Sequence, residues 1–115
     1  MSRRVLVVED DFLIALDLES ILQSAGFTVL GPVASEVAAL ALIENENPNL
    51  ALLDIHLVDG NAFAIADRLA TKRIPFAFLT GHSRKFLPTA HSERPMFSKP
   101  YKPNNLVRDL LSLTA

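Results

Sequence analysis

The stretch that decides the fold is "LLDIHLVDGN" at residues 52–61, where an apolar run ends on one carboxylate, Asp54, and gives way to a polar, glycine-containing segment. A second stretch, "VLVVEDD" at residues 5–11, has the same design. Short apolar runs of this kind are typical of buried strands. The pattern therefore predicts two buried strands that each end on acidic residues, and it raises the question of what the Asp54 carboxylate does there.

Length and composition limit the class of protein. The 115 residues are 50% hydrophobic and 21% charged with a formal net charge of -2, which indicates one globular domain over residues 1–115. This charge balance is not that of a general nucleic-acid binder. The absence of cysteine excludes disulfides, thiol catalysis and thiolate metal sites. No window approaches the ~20 apolar residues of a membrane span, and the N-terminus lacks the apolar run of a signal peptide, so we expect a cytoplasmic protein.

Apolar runs alternate with helical patterns along the whole chain. The predicted strands cover residues 5–8, 28–34, 50–54, 76–80 and 96–98. The predicted helices run from about Ile14 until Gly26 stops the pattern, over 36–46 with Ser35 as N-cap, along the face from Ala62 to Ala70, and onward from Pro103. Residues 82–95 are compatible with a short helix that Pro88 would interrupt. Strands separated by crossover helices predict an α/β fold, a doubly wound parallel sheet with helices on both faces.

Chemically useful residues follow the predicted strands. They are Glu9 and Asp10 after the first strand, Asp54 at the end of the third, Thr80 at the end of the fourth, and Lys99 after the fifth. Ligands of open parallel sheets bind beyond the carboxyl ends of the strands, so these side chains should converge there. Crowded carboxylates repel each other, and a hard cation such as Mg²⁺ relieves that repulsion. Asp54 could then attack phosphorus as a nucleophile, with Lys99 and Thr80 stabilising the phosphoryl oxygens.

The same residues, together with "KP" at 99–100, resemble the response-regulator receiver domain of two-component signalling, and the resemblance covers essentially the whole chain. It implies a flavodoxin-like sheet with strand order 2-1-3-4-5 and a cis peptide bond before Pro100. It also implies that Asp54 is the phosphoacceptor. As Mg²⁺ ligands it implies Asp10, Asp54 and the backbone carbonyl of His56, with Glu9 acting through water.

The resemblance further implies a signalling protein rather than an enzyme. A histidine kinase or phosphotransfer protein would donate the phosphoryl group, and a downstream protein would read the result, with a weak homodimer left open and no DNA contact. The segments "PFAFLTGHS" at 75–83 and "LDIHLVDGNAF" at 53–63 are similar to the FAT GUY subgroup of stand-alone alphaproteobacterial receivers. Because the chain stops after the last predicted helix, we expect no effector domain.

Three departures from the family pattern concern the output rather than the chemistry. Val58 replaces the usual proline four residues after the phosphoacceptor, and the loop that follows is shorter. Met96 replaces the usual aromatic switch residue three positions before Lys99. The fourth predicted helix is also short. These differences weaken the prediction of a Thr–aromatic switch, whereas phosphorylation of Asp54 needs none of the three features.

Two other classes of protein remain as alternatives. A haloacid-dehalogenase-like phosphatase also uses an aspartate nucleophile, Mg²⁺ and a lysine, but His56 occupies the position of its second aspartate. A receiver-like adaptor would bind partners without being phosphorylated.

Some residues near the predicted site are interpreted as structural only: Asp11 as a charge at a helix N-terminus, Phe97 as a core residue, and Tyr101 as a half-exposed residue. The histidines His56, His82 and His91 form no metal-ligand spacing and are interpreted as solvent-facing loop residues.

Overall fold

The computed structural model describes residues 3–57, 59–80, 91 and 94–113. The strands are β1 (Arg3–Val8), β2 (Phe27–Val33), β3 (Leu50–Asp54), β4 (His56–Leu57), β5 (Gly60–Asn61), β6 (Phe76–Thr80) and β7 (Met96–Ser98). The helices among these residues are α1 (Phe12–Ser24), α2 (Glu36–Glu46), α3 (Phe63–Thr71) and α4 (Pro103–Ser112). Within the described residues, no helix is both long and apolar enough to span a bilayer.

The main sheet is parallel, and its order is β2-β1-β3-β6-β7. Counting only its five strands in chain order, this is the predicted order 2-1-3-4-5, so the flavodoxin-like fold is confirmed. Strand β1 lies between β2 and β3, with Val5 opposite both Val29 and Leu50. The chain leaves β1 in one direction and later returns to its other side as β3. This reversal places a ligand crevice at the carboxyl ends of β1 and β3.

The core lies on both faces of the sheet. Alternate residues of β3 supply the two sides: Ala51 and Leu53 belong to one cluster, and Leu50 and Leu52 to the other. The first cluster includes side chains of α2 and α3, and the second includes side chains of α1 and α4. Strands β3 and β6 are buried along their whole length. Because both faces of these strands are covered, their apolar runs carry no alternation.

Helix α2 starts where the sequence predicted, whereas α1 starts at Phe12, two residues before the predicted Ile14. Asp11 is the N-cap of α1, and its Oδ1 accepts hydrogen bonds from the backbone N–H of Leu13 at 3.0 Å and of Ile14 at 3.1 Å. Ser35 is the N-cap of α2, and its Oγ accepts from the Ala38 N–H at 3.1 Å. Each cap satisfies backbone donors that the first helical turn leaves without partners. Helix α1 therefore begins directly after the acidic residues that follow β1.

Some boundaries differ from the prediction. Strand β1 begins at Arg3 rather than Val5, because Arg3 and Arg4 continue the pairing with β2. Strand β2 covers Phe27–Val33 rather than 28–34. The segment after β3 forms a small antiparallel hairpin of β4 and β5, where the sequence indicated only a loop. Val58, His82 and most of the short helix predicted within 82–95 lie outside the described residues.

The prediction that His91 faces solvent is wrong. Its exposure is 3%, and its Nε2 lies 2.7 Å from Asp67 Oδ1 on α3. The imidazole ring packs edge-on against Phe76 and Phe78, with ring centroids 5.8 and 6.1 Å apart. Since a carboxylate only accepts hydrogen bonds, Nε2 carries the donated proton. This contact joins residues 24 positions apart, so no local pattern in the sequence predicted it.

Candidate functional site

Three carboxylates meet at the predicted crevice. Glu9 and Asp10 directly follow β1, and Asp54 is the last residue of β3. Each can offer an oxygen that lies within 4.8 Å of the others. Glu9 and Asp54 are buried, with exposures of 2% and 6%, whereas Asp10 is open to solvent. The neighbouring parallel strands therefore bring the predicted acidic residues together, and the outer one is reachable from solution.

Lys99 extends from the end of β7 into this acidic group. Its Nζ lies 2.8 Å from Glu9 Oε1 and 3.6 Å from Asp54 Oδ2. The Lys99–Pro100 peptide bond is cis, as the resemblance implied. The backbone N–H of Lys99 donates to the Thr80 carbonyl at 3.0 Å, which ties the ends of β6 and β7 together. One ammonium group therefore sits against two of the three carboxylates.

Thr80 and His56 lie at the same edge of the sheet. Leu79 pairs with Asp54, so Thr80 is one residue further toward the carboxyl end of its strand. Thr80 is 1% exposed. His56 opens the hairpin two residues after Asp54. All of the residues predicted for the site thus belong to segments that converge at the carboxyl ends of β1, β3, β6 and β7.

The local electrostatics favour a neutral Asp54 when no cation is bound. Burial, the neighbouring Glu9 carboxylate and hydrogen bonding to Asp10 raise the pKa of Asp54 to about 8, although the Lys99 charge opposes them. Burial works against the charged form of Lys99, but the hydrogen bond to Glu9 and the charge of Asp54 outweigh it and raise the pKa of the ammonium group. Lys99 is therefore charged at neutral pH. A further cation would restore the ionised form of Asp54.

The donor set fits a magnesium ion. Carboxylate oxygens are hard ligands, and Mg²⁺ usually takes one or two of them while keeping several waters. Asp54 and the exposed Asp10 offer such oxygens, and the backbone after Asp54 adds the carbonyl of His56 as a candidate. Burial and the neighbouring carboxylates both raise the pKa of Asp54 in the absence of a cation, and a divalent cation bound here would instead favour the ionised carboxylate.

Two features beside the site were missed by sequence reasoning. The hydroxyl of Tyr101 donates to Asp17 Oδ2 at 2.7 Å, and both residues line an open cavity of about 440 Å³ whose wall includes Lys99. Phe12 and Leu13, at the start of α1, are 73% and 75% exposed. Leu13 does not belong to the buried face of α1, which includes Ala15, Leu18 and Leu22. The helical spacing of the buried residues could therefore have shown that Leu13 is exposed.

A doubly wound sheet whose carboxyl edge presents an acidic group, a threonine and a lysine before a cis proline defines a receiver-type signalling protein. Comparison with known proteins agrees, because the sequence profile of the response regulator receiver domain matches residues 5–110. The chain therefore belongs to the response regulator receiver family. The strand order, the site residues and the family match all lead to this assignment.

Relatives within the family include a longer regulator and receivers of about the size of this chain. The phyllosphere-induced regulator PhyR of Methylorubrum extorquens is 35% identical over 111 residues, which are 92% of this chain and 41% of that protein. The chain thus spans about two fifths of the length of this relative. The solution structure of SdrG from Sphingomonas melonis Fr1 has a TM-score of 0.85 and 33% identity, and covers 99% of this chain and 98% of that one. The BeF3-activated conformation of SdrG from Pseudomonas melonis Fr1 has a TM-score of 0.82 and 33% identity, with 98% and 97% covered.

Proposed function

We propose that this chain acts as a single-domain response regulator in the cytoplasm, and that its Asp54 accepts a phosphoryl group in a Mg²⁺-dependent reaction. The donor is a histidine kinase or a phosphotransfer protein, and the output is a protein–protein contact. The observation that carries the proposal is the position of Asp54, which is buried at the end of a rigid strand, beside two other carboxylates and 3.6 Å from Lys99 Nζ. No simple structural role requires this combination.

Each residue has a part that follows from its place. An Asp54 oxygen attacks the phosphorus, a bond forms between them, and the bond to the donor breaks with its electron pair leaving on the donor. Lys99 is close enough to Asp54 to pair with a phosphoryl oxygen as charge develops there. Thr80 ends the neighbouring strand at the same edge, and its hydroxyl would donate to another of these oxygens.

Bound Mg²⁺ would supply charge neutralisation and orientation for the phosphoryl group. Asp10, Asp54 and the His56 carbonyl would hold it, with Glu9 contributing through water. The buried Glu9 has a second task in the absence of the ion, because its Oε1 holds Lys99 Nζ at 2.8 Å. This ion pair keeps the ammonium group beside Asp54 before the phosphoryl group arrives.

The output of related proteins supports a protein–protein contact. The solved PhyR of Bartonella quintana is described as an anti-anti-sigma factor, and it is 31% identical to this chain over 99% of the chain. The SdrG structure described as BeF3-activated has the size of this chain, since 97% of it is covered. The first comparison favours a protein partner as the output, and the second favours a phosphorylation-like input. The phosphatase alternative lacks this support, and His56 stands where its second aspartate would be.

The exposed apolar residues of α1 are the proposed docking place of the donor protein. Phe12 and Leu13 begin the helix that starts three residues after Glu9, so they flank the crevice that contains Asp54. A protein donor must cover this edge to bring its phosphoryl group to Asp54. Leu13→Ser should therefore slow transfer from the protein donor, while phosphorylation by the small donor acetyl phosphate stays unchanged. Equal rates from the protein donor in wild type and Leu13→Ser would place docking elsewhere.

Intact-mass spectrometry after incubation with acetyl phosphate and Mg²⁺ tests the proposed chemistry. We expect one phosphoryl adduct that is absent in Asp54→Asn and absent when EDTA removes the metal. Titration with beryllofluoride, a phosphoryl mimic, checks for a receiver whose adduct hydrolyses too quickly to be detected. If neither an adduct nor beryllofluoride binding is found, the receiver-like adaptor becomes the better assignment.

A further inference from the structure

The hairpin that follows Asp54 is anchored at its base. The Ala62 N–H donates to the Ile55 carbonyl at 2.9 Å and closes the base of the β4–β5 hairpin. Leu57 is 7% exposed and Ala62 is fully buried, so both anchor the hairpin in the core. These contacts hold the root of the loop. The outer end of the hairpin, at Asp59, lies next to the start of α2.

Asp59 supplies the restraint at the outer end. Its side chain accepts from the backbone N–H of Glu36, the first residue of α2, with distances of 2.9 Å to Oδ1 and 3.1 Å to Oδ2. The two residues are 23 positions apart. A carboxylate at this place also interacts favourably with the helix dipole. The hairpin that carries the backbone of His56 is thus tied to the start of α2.

This contact is more than the ordinary capping of α2, because α2 already has a cap of its own. Ser35 is the N-cap residue and accepts from the Ala38 N–H at 3.1 Å. The cap from Ser35 is local and involves only α2. The second acceptor at the same helix end comes from the loop directly after the phosphoacceptor. Asp59 therefore links two segments that border the site, whereas Ser35 links none.

We infer that Asp59 is a positioning residue for the magnesium site. By fixing the hairpin to α2, it keeps the backbone after Asp54, including the His56 carbonyl, in place before the ion arrives. A pre-ordered ligand loop lowers the conformational cost of binding. This inference rests on the proposed function, because it assumes that the acidic group binds Mg²⁺.

The test is an NMR-monitored MgCl₂ titration at constant ionic strength on wild type and three variants of the 115-residue chain. Asp59→Ala should weaken Mg²⁺ binding about tenfold, since removal of a group that orients metal ligands typically has at least this effect. Asp59→Asn keeps an oxygen acceptor for the Glu36 N–H and should retain nearly the affinity of wild type. Ser35→Ala is the matched control, because it also removes one capping hydrogen bond from α2. It should lower stability without changing Mg²⁺ affinity. Circular dichroism verifies that every variant is folded.

Each other outcome overturns the inference in a distinct way. Equal affinities in wild type and Asp59→Ala would show that the tether does not order the site. An Asp59→Asn protein as weak as Asp59→Ala would assign the effect to negative charge rather than to positioning. A Ser35→Ala protein as weak as Asp59→Ala would assign it to the general integrity of α2. If wild type itself fails to bind Mg²⁺, the magnesium part of the proposed function fails together with the role of Asp59.

Discussion

Replacing the proposed phosphoacceptor should stabilise the protein when no metal is bound. Asp54→Asn keeps the shape of the side chain but removes a carboxyl group from a buried site that already holds Glu9 and Asp10. In the folded protein, burial and the Glu9 carboxylate raise the pKa of Asp54 to about 8 from an ordinary value of 3.8. In the unfolded chain the Asp54 carboxyl has its ordinary pKa and is ionised at neutral pH. Ionisation of Asp54 therefore favours the unfolded state.

The sign and size of the effect follow from linkage. A group whose pKa is higher in the folded state contributes full stability below its unfolded pKa, and this contribution is lost as the pH rises through the folded pKa. Each pKa unit corresponds to about 1.4 kcal/mol. Between low pH and pH 7, ionisation of Asp54 therefore lowers the free energy of unfolding of the wild type by at most about 4 kcal/mol. The amide also gives up the Lys99 contact. Asp54→Asn should therefore stabilise the metal-free protein at pH 7 by about 2–4 kcal/mol.

Urea denaturation in EDTA at several values between pH 5 and 8 measures this effect. The advantage of Asp54→Asn over wild type should grow as the pH rises. Asp109→Asn makes the same chemical change at a half-exposed position of α4 and should stay within about 0.5 kcal/mol of wild type. Added Mg²⁺ should stabilise wild type more than Asp54→Asn, because the ion binds the folded carboxylate. If Asp54→Asn were less stable than wild type throughout this range, the proposed repulsion at the site would be refuted.

Three further predictions concern one buried aromatic ring and two side-chain hydrogen bonds. Phe78→Ala removes a fully buried ring from the middle of β6 and should cost about 3–5 kcal/mol in urea denaturation. A cost below about 1 kcal/mol would contradict its close packing. Asp67→Ala leaves the buried Nε2–H of His91 without the acceptor it has now, so we expect a loss of about 1–3 kcal/mol at pH 7, whereas an unchanged urea midpoint would show that the contact does not matter. Burial and the hydrogen bond to Asp17 raise the pKa of Tyr101, the single tyrosine, so stability should fall as the pH rises above about 10. Absorbance titration should show that Tyr101 ionises at higher pH in native than in urea-unfolded protein. Coincident native and unfolded titrations would contradict this.

The sequence predicted the fold well because the decisive signals are local. Strands β3 and β6 are short uninterrupted apolar runs, as expected for strands covered on both faces. Asp11 and Ser35 are capping residues directly before helical patterns, and both act as caps. The β4–β5 hairpin was missed because two-residue strands lack a periodicity that can be recognised. Its pairing is visible only once Ala62 is seen to close the loop on Ile55.

The site was predictable to the extent that the topology determines it. Residues that end neighbouring parallel strands must meet at one edge, so the convergence of Asp54 with Glu9 and Lys99 follows from the strand order. Contacts between distant loops and helices do not follow from such a rule. The bond from Asp59 to the start of α2 and the bond from His91 to Asp67 depend on the three-dimensional path of the connections. These long-range polar contacts were the part that sequence reasoning could not supply.

The most direct test of the central claim is to locate the phosphoryl group chemically. After incubation with acetyl phosphate and Mg²⁺, borohydride reduction converts an aspartyl phosphate to homoserine, and tandem mass spectrometry of the digested protein identifies the modified position. We expect homoserine at position 54 and nowhere else, with none formed in the EDTA-treated sample. Homoserine at Asp10 or another acidic residue, with Asp54 unmodified, would contradict it.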